Sequence, residues 1–285
     1  MAHMVCVITG ATSGIGLATA RGLARQGATV VLVSRSRARG EAASRQVAAE
    51  GSADRTLLEL ADLASLAGVR TLADRLRARF DAVHLLVNNA GIYCHDLERT
   101  AEGFEMTMGV NHLAPFVLTN RLLPALRAGR ARVVNVASDA HRFARLRRTP
   151  LEQILRGEGP DFTYRGVLAY GDSKLANILF TTELQRRERA RGLVALAVHP
   201  GVVATRIWNR NRDLVSFVMR LGKPFMLSAA RSGGFIVRVA TDPAYAEMGG
   251  GYFNKGRPAR PSADAQDAEL AGRLWAESER LTGER

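Results

Sequence analysis

The chain has 285 residues, of which 47% are hydrophobic and 24% are charged, a composition typical of a globular protein with a substantial core. Its 40 Lys and Arg against 27 Asp and Glu give a net charge of +13, but the basic residues are scattered, which disfavours nucleic-acid binding as the main function. No apolar run approaches the ~20 residues that span a bilayer, no signal peptide is evident, and the two cysteines form no disulfide framework, so we expect a cytoplasmic protein without a membrane span.

Predicted strands and helices alternate along the chain. Apolar runs predict strands at 5–9, 28–34, 55–62, 83–91, 131–138 and 193–201. Helical spacing predicts helices at 17–27, 37–50, 63–80, 101–128 (as one or two helices), 167–190 and 264–282. The second strand is a continuous apolar run, which indicates burial on both faces, as in a parallel sheet. We therefore expect an α/β fold in one domain over residues 1–285, with a doubly wound parallel sheet, helices on both faces, and ligands at the carboxyl ends of the strands.

A glycine-rich segment, TGATSGIG, lies between the first predicted strand and the first predicted helix. Gly10, Gly14 and Gly16 would allow a tight turn and a close backbone approach. The helix that follows would offer free N–H groups and the positive end of its dipole to a pyrophosphate. This position between a strand and a helix predicts a dinucleotide-binding turn.

The end of the second strand bears on which dinucleotide binds. A unit that binds NAD usually places Asp or Glu there, to hold the ribose 2′-hydroxyl. This chain has Ser34 and Arg35 instead, and a guanidinium would pair with a 2′-phosphate that a carboxylate would repel. The residues therefore favour NADP(H), although Arg35 could also be an ordinary loop residue in an arginine-rich chain.

Polar residues follow the third and fourth predicted strands. Asp62, followed by Leu63, could bond an adenine amino group or cap the next helix. The fourth strand closes with NNAG, whose Asn89, Ala90 and Gly91 would let a flat ribose or nicotinamide lie against the backbone, although Asn also suits turns. Asn111 is expected in mid-helix, where Asn is disfavoured, so it has either an inward polar role or a bond to a neighbouring helix turn.

Tyr170 and Lys174 are four residues apart in AYGDSK, and only three of the 40 basic residues are lysines. On a helix the two side chains would share one face, and an ammonium beside a phenol lowers the pKa of the phenol. Such a pair could exchange a proton near neutral pH, although a surface Tyr beside a surface Lys would also fit. Ser138, after the fifth strand, could hydrogen-bond a substrate carbonyl oxygen, and the absence of a G-x-S-x-G elbow disfavours a serine hydrolase.

Together these segments resemble the short-chain dehydrogenase/reductase family, over nearly the whole chain. TGATSGIG, NNAG, Asn111, Ser138, the Tyr170–Lys174 pair and HPG at 199–201 occur in the family's order. The sequences AYGDSKLANILFTTEL and HPGVVATRI, with the late GGGYF, most resemble the retinol-dehydrogenase-like branch. Tyr164 does not match the family tyrosine, because Leu168 rather than Lys stands four residues later.

The resemblance implies a single-domain Rossmann fold and a set of residue roles. Tyr170 would be the general acid, Lys174 would lower its pKa and bond the nicotinamide ribose, Ser138 would orient the substrate oxygen, and Asn111 would hold a water linked to Lys174. Thr205 would bind the nicotinamide carboxamide. No metal is implied. The expected cofactor residues are Gly10, Thr12, Ser13, Gly14, Ile15, Gly16, Ser34, Arg35, Asp62, Leu63, Asn89, Ala90, Gly91, Tyr170, Lys174, Pro200, Gly201, Val203 and Thr205.

Two segments concern the substrate. Ser138 and Tyr170 are 32 residues apart, a longer spacing than in the simplest family members, which indicates an insert at about 142–168. This insert would either shape the mouth of the site or form a tolerated surface loop, and the surface loop is slightly favoured. The apolar stretch at about 206–230 would be either a substrate lid or a buried or subunit-facing helix. We expect an NADPH-dependent reductase of a bulky apolar ketone or aldehyde, reversible as an alcohol dehydrogenase. The alternative is a catalytically silent NADP-binding regulatory protein, and the sequence leaves open whether the chain forms a homo-oligomer.

Overall fold

The computed structural model describes residues 4–160, 162–203 and 227–284. Within them the strands form one eight-stranded sheet in the order β3-β2-β1-β4-β5-β6-β7-β8. The strands are β1 (Val5–Thr9), β2 (Thr29–Ser34), β3 (Thr56–Leu60), β4 (Leu85–Asn88), β5 (Arg132–Val136), β6 (Val194–His199), β7 (Tyr252–Asn254) and β8 (Arg257–Pro258). All neighbouring pairs are parallel except β7 with β8. The strand order reverses between β1 and β4, so the predicted doubly wound sheet is confirmed and its switch point lies there.

Helices cover both faces of the sheet. They are α1 (Gly14–Arg25), α2 (Arg37–Ala48), α3 (Leu66–Arg79), α4 (Met106–Met108), α5 (Ala114–Ala128), α6 (Leu151–Arg156), α7 (Gly166–Glu188), α8 (Ala229–Thr241) and α9 (Ala268–Thr282). Buried residues of α3, α5, α7 and α9 share one apolar cluster, and those of α1, α2 and α8 share another. In β1, Val7 points into the first cluster while Cys6 and Ile8 point into the second. This two-sided burial explains why the strand reads as an unbroken apolar run.

Four of these helices and strands were not predicted from the sequence: α6, α8, β7 and β8. Helix α6 lies in the insert and has only six residues. Helix α8 contains the pair Gly233 and Gly234, which weakens a helical signal. Strand β7 has only three residues and β8 only two, so neither produces a readable period. The predicted third helix also begins later than expected, at Leu66, because the Ser65 hydroxyl accepts a hydrogen bond from the Gly68 N–H and caps it.

The insert at 142–168 packs against the domain. Its Leu146 and Leu155 are fully buried in the cluster beneath α5 and α7. Arg145 forms an ion pair with the completely buried carboxylate of Asp172 on α7, with Nη2 2.7 Å from Oδ2. The Tyr164 hydroxyl lies within hydrogen-bond distance of two acceptors, the Cys94 carbonyl oxygen at 3.1 Å and Oε1 of Glu105 at 3.0 Å. The slightly favoured prediction of a tolerated surface loop is therefore wrong for these parts of the insert.

The predicted lid at about 206–230 falls largely outside the described residues, because 204–226 are not among them. Of this predicted lid, residues 227–230 are described. There the N–H of Leu227 donates to the Val202 carbonyl oxygen, and α8 begins at Ala229. Among the described residues, no helix combines the length and the apolar character needed to cross a membrane.

Candidate active site

A cleft of about 1010 Å³ opens at the carboxyl ends of the central parallel strands. Its position at the switch point is where a doubly wound sheet binds its ligand. The sequence-predicted residues that line it are Gly10, Thr12, Ser13, Gly14, Ile15, Gly16, Ser34, Arg35, Asp62, Leu63, Asn89, Ala90, Gly91, Ser138, Tyr170, Lys174, Pro200, Gly201 and Val203. Thr205 lies outside the described residues, and Asn111 lies behind the lining.

The glycine-rich turn forms the inner end of the cleft. Gly10 and Gly14 have φ values of +65° and +56°, which only glycine adopts without strain. A Cβ on Gly16 would lie 2.5 Å from the Gly10 carbonyl oxygen, so the backbone approaches itself too closely for any side chain there. Helix α1 begins at Gly14, and the residues of its first turn, Gly14, Ile15 and Gly16, line the cleft. These features fit a pyrophosphate.

Asn89 supports this turn with its side chain. Its Nδ2 donates to the Thr9 carbonyl oxygen at 2.8 Å, and the Thr9 hydroxyl in turn accepts hydrogen bonds from the N–H groups of Asn89 and Ala90, both at 3.0 Å. The amide that was expected to face a ligand therefore ties the end of β4 to the end of β1. Asn89 also lines the cleft, next to these hydrogen bonds.

Two arginines mark the outer end of the cleft. Arg35 is exposed after β2, and Arg39, on the first turn of α2, lines the same surface. The sequence analysis missed Arg39, although its spacing of four residues from Arg35 was the available signal. The Ser34 hydroxyl is engaged locally, because it donates to the Ser36 carbonyl oxygen at 2.9 Å.

Asp62, in the loop after β3, is exposed and lines the cleft. Its Oδ1 accepts a hydrogen bond from the Ala64 N–H at 3.0 Å, which orders the loop after β3. The cap of α3 is Ser65, so Asp62 does not serve as the helix cap that the sequence analysis considered. An adenine contact remains a prediction for this carboxylate.

Tyr170, Ser138 and Lys174 meet at the floor of the cleft. A hydrogen bond joins the side chains of Tyr170 and Ser138. Burial of the phenol raises the pKa of Tyr170 to about 12, and the bond with Ser138 offsets only part of that rise. The spacing of Tyr170 and Lys174 predicted a lowered pKa for the phenol, whereas burial raises it in this structure.

Lys174 is buried beside the tyrosine, with its Nζ 5.4 Å from the centroid of the Tyr170 ring. The ammonium donates to the Val136 carbonyl oxygen at 3.0 Å, and burial lowers the pKa of Lys174 to about 8. A Cβ on Gly91 would stand 3.5 Å from Nζ, so the glycine leaves the lysine head accessible from the cleft. This excludes the alternative in which Lys174 is a surface residue.

Asn111 holds the back of the site from a distorted helix turn. It lies in a π turn, Gly109–Leu113, between α4 and α5, a distortion frequent at functional sites. Its Oδ1 accepts from the Ile92 N–H at 2.8 Å, and its Nδ2 donates to the Ser173 hydroxyl at 3.0 Å. The inward polar role is thus observed, with partners on the loop after β4 and on α7 instead of a neighbouring turn.

His141 fixes the backbone of Ser138. Its Nε2 accepts a hydrogen bond from the Ser262 N–H at 3.0 Å, so the ring proton belongs on Nδ1, which lies 2.7 Å from the Ser138 carbonyl oxygen. Burial lowers the pKa of His141, which keeps the ring neutral in this role. The bond from Ser262 to His141 spans 121 residues of sequence, so the sequence alone gave no sign of this role for His141.

Apolar side chains that the sequence analysis did not single out complete the cleft around Ser138 and Tyr170. They come from the loop after β4, from α4 and the π turn, and from the two ends of the insert: Tyr93, Met106, Val110, Phe143 and Val167. Phe143 and Val167 are 66% and 39% exposed, respectively, so the rim itself is apolar. Among the described residues, no group of three or more His, Cys, Asp or Glu could hold a metal ion.

Comparison with known proteins agrees with this geometry. A sequence model of the family described as "short chain dehydrogenase" matches residues 4–149. Retinol dehydrogenase 12 of Mus musculus is 39% identical over 280 residues, which cover 98% of this chain and 86% of that protein. The chain belongs to the short-chain dehydrogenase/reductase family. Polyprenol dehydrogenase of Mus musculus, another member at this level of similarity, is 40% identical over 291 residues, covering 98% of this chain and 84% of that protein.

Solved structures of this family share the fold. An uncharacterised protein from Mycobacterium Paratuberculosis superposes with a TM-score of 0.78 at 38% identity, covering 100% of this chain and 95% of its own. The complex of Pseudomonas aeruginosa RhlG with NADP superposes with a TM-score of 0.69 at 24% identity, covering 89% and 95%. The second likeness supports the fold of this oxidoreductase rather than its ligand.

Proposed function

We propose that this oxidoreductase is an NADP(H)-dependent reductase of a bulky apolar ketone or aldehyde, and that it oxidises the corresponding alcohol in the reverse direction. The observation that carries the proposal is the hydrogen-bonded pair of Ser138 and Tyr170, at the floor of an apolar cleft with Lys174 one helix turn away. A carbonyl oxygen that accepts from both hydroxyls would be polarised and protonated at one place.

The side chains divide the acid–base work. Tyr170 keeps its proton at neutral pH because its pKa is about 12, so it is the group able to protonate the oxygen when the carbonyl is reduced. Ser138, whose backbone His141 holds, orients that oxygen. Lys174 places a cation beside the alkoxide and phenolate charge that develops, which favours proton loss from the phenol. A bound nicotinamide supplies the hydride for reduction and accepts it in the reverse reaction.

Three parts of the cleft fit a bound NADP(H). The glycine turn and the N-terminus of α1 would hold the pyrophosphate, and the accessible head of Lys174 would bond the nicotinamide ribose. Arg35 and Arg39 would pair with the 2′-phosphate of the adenosine. The NADP complex of RhlG, which shares this fold, is consistent with the same use of the site.

The lining of the cleft supports the apolar substrate. Met106, Val110, Phe143 and Val167 surround the space above Tyr170, and pockets of this kind bind ligands mainly through apolar contact, with few polar groups. Retinol dehydrogenase 12 and polyprenol dehydrogenase are named for long apolar alcohols. The same class of compound fits this cleft.

Turnover by the Tyr170→Phe variant tests the proposal. With NADPH and a panel of apolar ketones and aldehydes, we expect the native protein to consume NADPH and the variant to lose roughly 100-fold or more of kcat/KM, the usual contribution of a general acid. Tyr164→Phe is the matched control, because it removes a phenol that bonds Cys94 outside the cleft lining, and it should retain activity.

Equal activity of native protein and Tyr170→Phe would refute the assigned chemistry. Tight NADPH binding by the native protein with no turnover across the whole panel would favour the catalytically silent alternative.

A further inference from the structure

A carboxylate stands directly beside the catalytic hydroxyl. Asp139 follows Ser138 at the start of the short 3₁₀ turn Asp139–Phe143. Its side chain keeps 47% of its surface exposed, and it lines the cleft. The mechanism proposed above has no use for this group. The same cleft is lined by the apolar side chains of Val110, Phe143 and Val167, so the carboxylate would add a polar contact to a ligand held mainly by apolar ones.

Two buried side chains hold the carboxylate in place. The Tyr252 hydroxyl donates to Oδ1 of Asp139 at 3.1 Å, and Nε2 of His199 lies 3.3 Å from Oδ2. Tyr252 and His199 are each only 4% exposed. Arg142, at 3.9 Å from Oδ1, is the third contact. The carboxylate is therefore fixed before any ligand arrives, which is the condition for selective recognition.

We propose that Asp139 determines substrate specificity by accepting a hydrogen bond from a hydroxyl group of the substrate. The substrate class would then be an apolar ketone or aldehyde that also carries a hydroxyl. An ionised carboxylate has about four acceptor positions, and the Tyr252 hydroxyl occupies one of them. The exposed part of the carboxylate faces the cleft. This inference rests on the proposed reductase function and adds the second polar group of its substrate.

The charges around Asp139 favour a neutral hydroxyl over an ammonium. Arg142 contacts the carboxylate. Lys255 and Lys174 act on the neighbouring His199: burial is the main cause of its lowered pKa, and these two positive charges lower that pKa further. These cations offset the single negative charge, so the site offers a strong acceptor without a net negative field. A substrate that lacks the hydroxyl would desolvate the exposed part of the carboxylate without giving it a hydrogen bond in return, which is the basis for its rejection.

Matched substrates test the proposal. We would measure kcat/KM with NADPH for α-tetralone and for its monohydroxylated analogues, which differ only in the position of the hydroxyl. We expect the native protein to prefer at least one hydroxylated analogue over α-tetralone by roughly 10-fold or more, the value of a hydrogen bond to a charged group. Asp139→Asn keeps the shape and an acceptor for Tyr252 and should abolish most of this preference.

The ratio of the two kcat/KM values separates recognition from a structural role. If Asp139 only supported the fold, Asp139→Asn would lower both values and leave the ratio unchanged, and that result would overturn the inference. Asp264→Asn, which removes a half-buried partner of Arg147 outside the cleft lining, is the matched control and should keep the native ratio. If no analogue is reduced by the native protein, the proposed function fails for this class, and the inference fails with it.

Discussion

Tyr170 and Lys174 share one face of α7, and burial shifts their pKa values in opposite directions. The pKa of Tyr170 rises to about 12 and that of Lys174 falls to about 8, because a low-dielectric environment disfavours either charge. The neutral phenol is therefore the resting form at neutral pH, and it is the form that carbonyl reduction consumes. Alcohol oxidation needs the phenolate instead, so it should depend more strongly on the charge of Lys174.

Arg35 and Arg39 carry the residue-scale prediction on cofactor choice. For Arg35→Asp we expect the ratio of kcat/KM for NADPH to that for NADH to fall by roughly 10-fold to 100-fold, because a charge-assisted hydrogen bond is replaced by a repulsion. Arg39→Asp should shift the ratio in the same direction. Arg37→Asp is the matched control, since Arg37 is exposed between them and does not line the cleft. An unchanged ratio in Arg35→Asp would show that Arg35 does not discriminate between the cofactors.

At the scale of elements, the insert is attached to the catalytic helix. Arg145 bonds Asp172 through its backbone N–H at 2.5 Å and through its guanidinium at 2.7 Å. Asp172 follows Tyr170 by two residues on α7. The two ends of the insert supply Phe143 and Val167 to the rim of the cleft. The ion pair between Arg145 and Asp172 therefore fixes the position of this apolar rim relative to the Tyr170 hydroxyl.

The buried pair between Arg145 and Asp172 predicts a stability effect. Asp172→Ala removes the carboxylate partner of Arg145, whose side chain is only 19% exposed, and loss of one member of a buried pair costs about 3–5 kcal/mol. Urea unfolding followed by circular dichroism would measure the change. Asp264→Ala, which breaks the more exposed pair with Arg147, should cost less than about 1 kcal/mol. Similar small losses in both variants would contradict a structural role for the buried pair.

The sequence predicted the elements whose signals are local. The turn from β1 into α1 follows from its glycines, and the positions of Ser138, Tyr170 and Lys174 follow from one strand end and one helix face. Contacts between distant segments left no such signal: Tyr252 reaches Asp139 across 113 residues. The raised pKa of Tyr170 was also missed, because burial is a property of the assembled cleft and cannot be read from a spacing of four residues.

At the scale of the whole molecule, the cleft collects residues from the carboxyl ends of six strands, β1 to β6, and from the loops that follow them. A ligand that touches all of them would oppose their separation on unfolding, so binding and stability are linked. The net charge of +13 should also draw an anionic dinucleotide toward the cleft, an effect that salt weakens.

This linkage predicts thermal stabilisation by the cofactor. At a free NADPH concentration about 100 times its Kd, the free energy of unfolding should rise by about 2.7 kcal/mol, which a thermal melt would report as an increase of several degrees in Tm. Arg35→Asp should reduce the increase with NADPH and leave the increase with NADH unaffected. Equal increases with both cofactors in the native protein would contradict the assignment of NADP(H).

The Thr9 hydroxyl sets a limit on how this oxidoreductase can be redesigned. It donates to the Val87 carbonyl oxygen and accepts two backbone N–H groups, and Thr9 is only 2% exposed. Valine has the same shape but makes none of these three hydrogen bonds, so we expect an apolar substitute of equal size to weaken the junction of β1 and β4. Changes of cofactor preference should therefore be sought at Arg35 and Arg39, while the junction of β1 and β4 is left as it is.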